Sequence, residues 1–514
     1  MATTAQIKEL IKRRHPDYER MLPHWDFLEA CYRGGRDWFV GNIFPYIKEG
    51  DAEYKERIKR AFRFNHTREI ADLVNKYIFK TDVLRNDEEA STAVKTFWDS
   101  ATRNGLNITQ YMRLVSLGAS TFGRIWIVVD NTAAGKTVQT VADEKKEGIR
   151  TYSYFVRPQQ VLDLSYDDEG ELNWILLYEE ARDDVNPLTS SGDMRELYRL
   201  WTTDSWYLYE KTKVGRKITY TEIDSSQHDL GIVPVFKCDN VETDEPYSAP
   251  ALIGDIAYLD RAVANYLSNL DAIIQDQTFS QLAMPAQGVL PGEDAYGKML
   301  EMGTKRIFLY DGENGNVPSY ISPDPKQAEL IVGVIQQIIN EIYHTVGMAG
   351  ERTKQDNAIG IDNSSGVAKA FDFERVNALL SSKADSLDRV EENLVKIVNL
   401  WHGNKDQKAD LVKYPDDFDV RGLGDEFSIA ENLSTIQAPE TARREQMRVL
   451  INKLFPRLTE DLKKKMEAEL KKWPPAPIIE ENSTGDASSA TKPTDKTDDG
   501  QSSQGSSDRS SDQE

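Results

Sequence analysis

The sequence predicts an α+β, mainly helical chain divided into several domains, and three observations lead there. At 514 residues the chain is too long for a single hydrophobic core. Short runs rich in β-branched and aromatic residues fill 121–240, between stretches of helical period. From Leu252 to Trp401, two long helices with narrow apolar seams flank a turn-rich insert, and a third long helix follows a polar, glycine-bearing loop.

Residues 1–120 read mostly as helices. Phe62, Ile70, Leu73, Val74, Tyr77 and Ile78 mark one amphipathic face, and Tyr111, Leu114, Val115 and Leu117 mark another. Strands follow at Arg124–Val129, Thr151–Val156, Trp174–Glu179, Glu196–Thr202, Ser205–Tyr209 and Lys217–Ile223, with turn residues from Asn131 to Gly135. They read as one mainly antiparallel sheet with hairpins, ending in the segment His228–Phe236.

The first long helix starts after Pro250 and is predicted to run to about Met284, where Pro285 stops it. Leu252, Ile256, Leu259, Val263, Tyr266, Leu270 and Ile273 form its seam; Ile331, Ile335, Ile338, Ile342 and Val346 form that of the second helix. Seams this regular, on rods of roughly 45 and 30 Å, call for helix-on-helix packing, either within one chain or around a ring of chains. The insert between them reads as a strand at Gln287–Leu290, a short helix at Asp294–Met302 and a strand at Arg306–Tyr310. Its hairpin turn is the run from Asp311 to Gly315.

The second helix breaks at Gly347. Residues Gly347–Gly366 have no apolar period and four glycines, so they read as a mobile loop, with Ser364 and Ser365 as N-caps for the third helix. That helix carries Val376, Leu380, Leu387, Val390, Leu394, Ile397 and Trp401 as its stripe. Helices at Glu440–Phe455 and Leu458–Trp473 close the folded part. From Pro474 onward the chain is Ser, Asp, Thr, Gly and Gln, a composition expected to stay disordered.

The net charge of −22 excludes a protein that wraps nucleic acid in a basic surface, yet suits one that lets a polyanion slide past. Two cysteines, Cys31 and Cys238, point to a reducing compartment and core thiols. There is no signal-peptide pattern and no run long and apolar enough for a membrane span.

No catalytic residue, cofactor or metal site is signalled. The six histidines are scattered without metal-ligand spacing. The segment Asp130–Thr137, DNTAAGKT, has the Gly-Lys-Thr end of a phosphate loop. Asp130 stands where such a loop needs glycine, and no helix follows, so an exposed hairpin is expected.

The loop after Gly347 is the better candidate. Arg352 and Lys354, beside Gln355, Asp356 and Asn357, lie on a long connection between rigid helices, and long structureless loops tend to be functional. The first helix carries Asp255, Asp260, Asp271 and Asp276 against Arg261 alone. On a monomer this is a solvated face, whereas in a ring of copies it would make an acidic wall that DNA does not stick to.

At this point the chain resembles the portal proteins of tailed bacteriophages. The likeness is carried in order by FRFNHTREIADLVNKYIFK (62–80), LVSLGASTFGRIWIVVD (114–130), HDLGIVPVF (228–236), SAPALIGDIAYLDRAVANYLSNLDAIIQDQTF (248–279) and SSGVAKAFDFE (364–374). It spans about residues 30–475. The resemblance implies a portal-like fold: wing (helices plus antiparallel sheet), two-helix stem, small α/β clip and helical crown. On this chain the wing is 1–247, the stem helices 248–284 and 325–347, and the clip 285–324. The tunnel loop is 348–365, the long wing helix 366–403 and the crown 404–473, followed by the tail 474–514.

The resemblance further implies a ring of about a dozen subunits at the unique capsid vertex, assembled in the host cytoplasm. Stem seams would pack subunit against subunit. Clip residues Glu293, Asp294, Lys298 and Glu301 would face the terminase large subunit and later the head-tail adaptor. Arg352 and Lys354 would reach double-stranded DNA, bound without sequence preference. Major capsid and scaffold proteins are the remaining implied partners, and no membrane is involved. The rival readings are another virion structural protein, such as a scaffold or tail component, and a nucleotide-dependent enzyme using Gly135, Lys136 and Thr137.

Overall fold

The computed structural model describes residues 3–47, 49–132, 150–278, 281–285, 307–310, 317, 319–321, 324–348, 366–404, 411–416, 418, 423–436, 438–455 and 460–473. The chain forms two compact units, Met1–Asp419 and Val420–Glu514. Several expected features lie outside the described residues: the strand 287–290, the helix 294–302, the turn 311–315, the loop 349–365, the caps Ser364 and Ser365, and the tail 474–514.

In the first unit, α1 (Thr4–Lys12), α2 (Tyr18–Arg33), α3 (Asp51–Arg60), α4 (His66–Ile78), α5 (Thr92–Asp99) and α6 (Ile108–Phe122) precede the main strands. Their starts are written locally. The Asn107 side chain accepts from the Gln110 N–H at 2.9 Å, with Gln110 returning a bond in a capping box, and Ser91 accepts from Val94 N–H. The helix at 66–78 matches its predicted stripe except for Phe62, which precedes it and is exposed.

The strands form two body sheets where one was expected. One is β3 (Thr151–Val156), β2 (Arg124–Asn131) and β9 (Val235–Asp239), antiparallel with β2 central. All eight β2 residues are buried, so both of its faces are covered. The second is the meander β4 (Val161–Tyr166), β5 (Leu172–Arg182), β6 (Met194–Thr202), β7 (Ser205–Val214) and β8 (Lys217–Gln227). A two-residue β1 (Leu84–Arg85) pairs with β13 (Val412–Lys413). Asp130 departs from its predicted place in an exposed hairpin: it is a buried β2 residue accepting from Tyr152 Oη at 2.6 Å.

Two long helices follow, α7 (Gly254–Thr278) and α8 (Pro325–Thr345), about 37 and 31 Å long. The predicted end of α7 at Met284 is wrong. Residues Gln281–Pro285 form β10, which pairs in parallel with β11 (Ile307–Tyr310) and antiparallel with β12 (Ser319–Ile321). Gln, Leu, Ala and Met are helix formers, but cross-strand pairing outweighs that preference, and Pro285 ends a strand.

Helix α9 (Gly366–Trp401) buries the predicted stripe from Val376 to Ile397 against the body. In the second unit, α10 (Leu423–Thr435) precedes α11 (Glu440–Leu454) and α12 (Glu460–Leu470), and the last two stand close to the predicted helices. Cys31 and Cys238 are both buried and free.

Candidate functional site

The α7–α8 pair is the feature on which the functional argument rests, and its seams close within one chain. Ile256, Val263 and Leu267 of α7 share a core with Ile335, Ile339 and Ile342 of α8, with Leu259, Leu270, Ile331 and Ile338 at its border. This corrects the expectation that those seams join subunit to subunit. Ala257 and Ala264 of α7, with Ile253 just before it, form a second stripe that packs on Leu28, Trp38, Phe39 and Ile43. Helix α7 is therefore held on two sides, which its seven-residue seam did not reveal.

The base of the pair is pinned to the body. Gly123 ends α6 at φ +85°, and a Cβ there would lie 1.9 Å from the Ala249 carbonyl oxygen, so only glycine lets the two backbones cross. Around this crossing, Leu252 N–H donates to Ser120 O at 3.0 Å and Asn240 N–H to Gly123 O at 2.7 Å. Three of the stretches that carry the portal likeness (114–130, 228–236 with its continuation, and 248–279) thus meet at one point.

Beside that crossing, Lys383 of α9 donates from Nζ to Asn240 Oδ1 at 2.6 Å and Ser120 Oγ at 2.9 Å, both neutral partners. Burial pushes its ammonium down to about 8 and the neighbouring Cys238 thiol up to about 12. Arg124 and Asp239 form a buried pair at 2.6 and 2.8 Å, and Ser386 Oγ donates to Asp239 O. Farther along α9, Glu391 accepts from Arg85 at 2.5 Å and from Tyr414 Oη at 2.8 Å. Sequence reading passed over Lys383 and Glu391, although both recur at the spacing of the α9 stripe, which was the available signal.

Helix α8 ends in a Schellman motif. Gly347, at φ +75°, donates its N–H to His344 O, and Met348 N–H returns to Tyr343 O at 2.8 Å. Tyr343 Oη also donates to Glu69 Oε2 at 2.7 Å, tying this end to α4. The predicted break at Gly347 is therefore a fixed exit for the loop that follows. A cavity of about 310 Å³ lies at this end, lined in part by Asp255, Leu252, Val346, Arg375 and Leu379.

Two of the four residues of the predicted acidic wall are taken up by ion pairs within the chain. Asp260 is buried, ion-paired with Arg63 at 3.1 Å and accepting from Thr67 Oγ1 at 2.8 Å, so it cannot belong to an exposed wall. Asp271 is half-buried and paired with Arg60 at 3.2 Å. Asp255 is exposed in the first turn of α7, where a carboxylate complements the helix dipole. Asp276 lies on α7, and its side chain is outside the described residues, as are Glu293, Asp294, Lys298, Glu301, Arg352, Lys354, Gln355, Asp356 and Asn357.

Charged side chains are exposed toward the ends of the pair, at Asp255, Lys326, Glu329 and Glu341, whereas the middle of each helix exposes uncharged ones. No Asp, Glu, Lys, Arg or His occurs from Ala262 to Leu270 or from Leu330 to Asn340. Tyr266, Asn269, Leu330, Val332, Gln336, Gln337 and Asn340 face outward from these stretches. Among the described residues no cluster of His, Cys, Asp or Glu could hold a metal ion, and no helix is long and apolar enough to cross a membrane.

The family model described as "Phage portal protein, SPP1 Gp6-like" matches residues 16–421. This chain belongs to that portal protein family. As a portal protein it is a structural component of the phage particle, a ring-forming connector between head and tail. No curated protein matches the chain. Among solved structures it is similar to a chain from the neck of an empty GTA particle computed with C6 symmetry. There the identity is 9%, the coverage 75% of this chain and 89% of that one, and the TM-score 0.36.

Proposed function

We propose that this portal subunit builds the channel through which the phage genome enters and leaves the head, with α7 and α8 as its stem. The observation that carries the reading is the helix pair itself: joined by an apolar seam, rooted at the Gly123 crossing, and without charge over 262–270 and 330–340. In a chain of net charge −22, copies repel one another, so neutral faces are where neighbours can meet. A ring contact is heterologous and needs two different surfaces. The outward face of α8, with Leu330 and Val332, supplies one. The exposed Phe44, Tyr46 and Ile47 beside α7 supply the other, Phe44 N–H being held by Asn265 Oδ1 at 2.9 Å.

The middle of the stem, left toward the bore, is neutral, and a neutral surface neither grips nor strongly repels a polyanion. The small β10–β12 sheet end of the pair, with Glu293, Asp294, Lys298 and Glu301 in its insert, would dock the terminase large subunit and then the head-tail adaptor. The ring would nucleate the shell of capsid and scaffold proteins. Arg352 and Lys354 leave from the fixed Gly347 exit and would touch DNA.

Two variants test this. Val332→Lys should leave the subunit folded but unable to close rings, seen as monomers in mass photometry, since a buried unpaired charge opposes association. Arg352→Ala with Lys354→Ala should form normal rings yet lower the yield of genome-filled particles several-fold. Rings from the first variant, or full genome yield from the second, overturn the corresponding assignment.

A further inference from the structure

We propose that the exposed basic and apolar surface of the C-terminal helical unit is covered, in the free protein, by the chain's own segment after Trp473, seated through Ile478, Ile479, Glu480 and Glu481. Charge is distributed unevenly near this end. Residues 439–473 hold ten Lys and Arg against six Asp and Glu, whereas 474–514 hold three against nine.

Helices α11 and α12 are joined by Arg444, whose Nε donates to Trp473 O at 2.9 Å, and by Arg448, which pairs with Glu445 and reaches Glu467 at 3.6 Å. Those contacts occupy Arg444 and Arg448, and Lys465, Lys471 and Lys472 are exposed and without an ion pair among the described residues. The same unit exposes Val449, Leu454, Phe455 and Leu462. A surface that offers apolar side chains beside unpaired ammonium groups fits an apolar-then-acidic segment, and Ile478-Ile479-Glu480-Glu481 has that order.

Tethering makes the segment the favoured occupant. Lys471 and Lys472 lie in the final turn of the unit, their N–H groups bonded to Glu467 O and Glu469 O, and the Arg444 clamp on Trp473 fixes where the acidic segment begins. At up to about 3.3 Å per residue, the 41 residues 474–514 reach far beyond the roughly 16 Å length of α12. A partner joined by so short a connection competes at an effective concentration near the millimolar range. Polyanions approaching this unit must first displace it.

The test is the rate of amine acylation at Lys465, Lys471 and Lys472, read by mass spectrometry. It compares the full chain, a chain ending at Trp473, and the full-length double variant Glu480→Lys, Glu481→Lys, with circular dichroism as the folding control. At low salt the three lysines should react several-fold faster in the shortened chain and in the charge-reversed one. The difference should vanish in 1 M salt, where the screening length is about 3 Å. Duplex DNA should then protect these lysines in the shortened chain more than in the full chain. Equal rates in all three proteins overturn the proposal. So does equal protection by DNA with and without the segment, which would mean that the surface stands open to nucleic acid in the free protein.

Discussion

The two faces of α7 meet their neighbours through different chemistry. Toward α8 it offers Ile256, Val263 and Leu267, with no charge in the seam. Toward the body it offers Asp260 to Arg63 and Ser268 to Arg57, whose guanidinium also holds Glu49 and the Phe44 carbonyl. The body repeats this style at Arg124–Asp239, Arg85–Glu391 and Lys383. Buried charges tolerate one partner and one position, because any shift leaves an unpaired ion in a low dielectric. An apolar seam tolerates small slides and twists at little cost. The body is thus fixed in one arrangement, whereas the seam between α7 and α8 itself sets no specific bond against a small change of crossing.

That contrast can be broken in graded steps. The largest effect is expected from Arg124→Met, which takes from buried Asp239 its two-pronged partner and leaves it the partly exposed Lys237 at 3.5 Å, at a cost of about 3 kcal/mol. Adding Asp239→Leu should recover most of the loss, and a double variant no more stable than the single one would show that the pair does not act as a unit. Next comes Ile342→Ala, fully buried in the α7–α8 seam. It should cost about 3 kcal/mol from lost burial and cavity formation. Faster hydrogen exchange should be confined to α7 and α8; exchange spreading through the β2 sheet would mean that the pair and the body unfold together.

The smallest effect at neutral pH is expected from Lys383→Met, which removes a costly buried ammonium together with two hydrogen bonds. Its signature lies in the pH dependence. The folded-state pKa of about 8 is below the unfolded value, so between that pH and about 10.4 the unfolded chain binds the extra proton. The native protein should therefore gain stability relative to the variant as pH rises through that window. Cys238, pushed up to about 12, stays neutral there. Parallel stability curves for the two proteins would place Lys383 in contact with solvent.

By itself the sequence determined what short-range period and turn chemistry encode. The body strands at 124–129 and 151–156, the α9 stripe and the Gly347 stop each repeat or end within one element, where a residue's neighbours in sequence are also its neighbours in space. It also carried the portal family, because ordered stretches around Gly123 and along α7 survive as text. Only tertiary structure decided which partners those elements take. Residues Gln281–Pro285 left the helix once β11 and β12 were there to pair with them. The seams turned inward to each other rather than outward to a neighbour. Asp260 ceased to be a wall residue because Arg63, nearly two hundred positions away, arrived beside it. The physical reason is common to all three: a hydrogen-bond ladder, an apolar contact and an ion pair are each completed by a distant segment, and local pattern states the need for a partner without saying which one meets it.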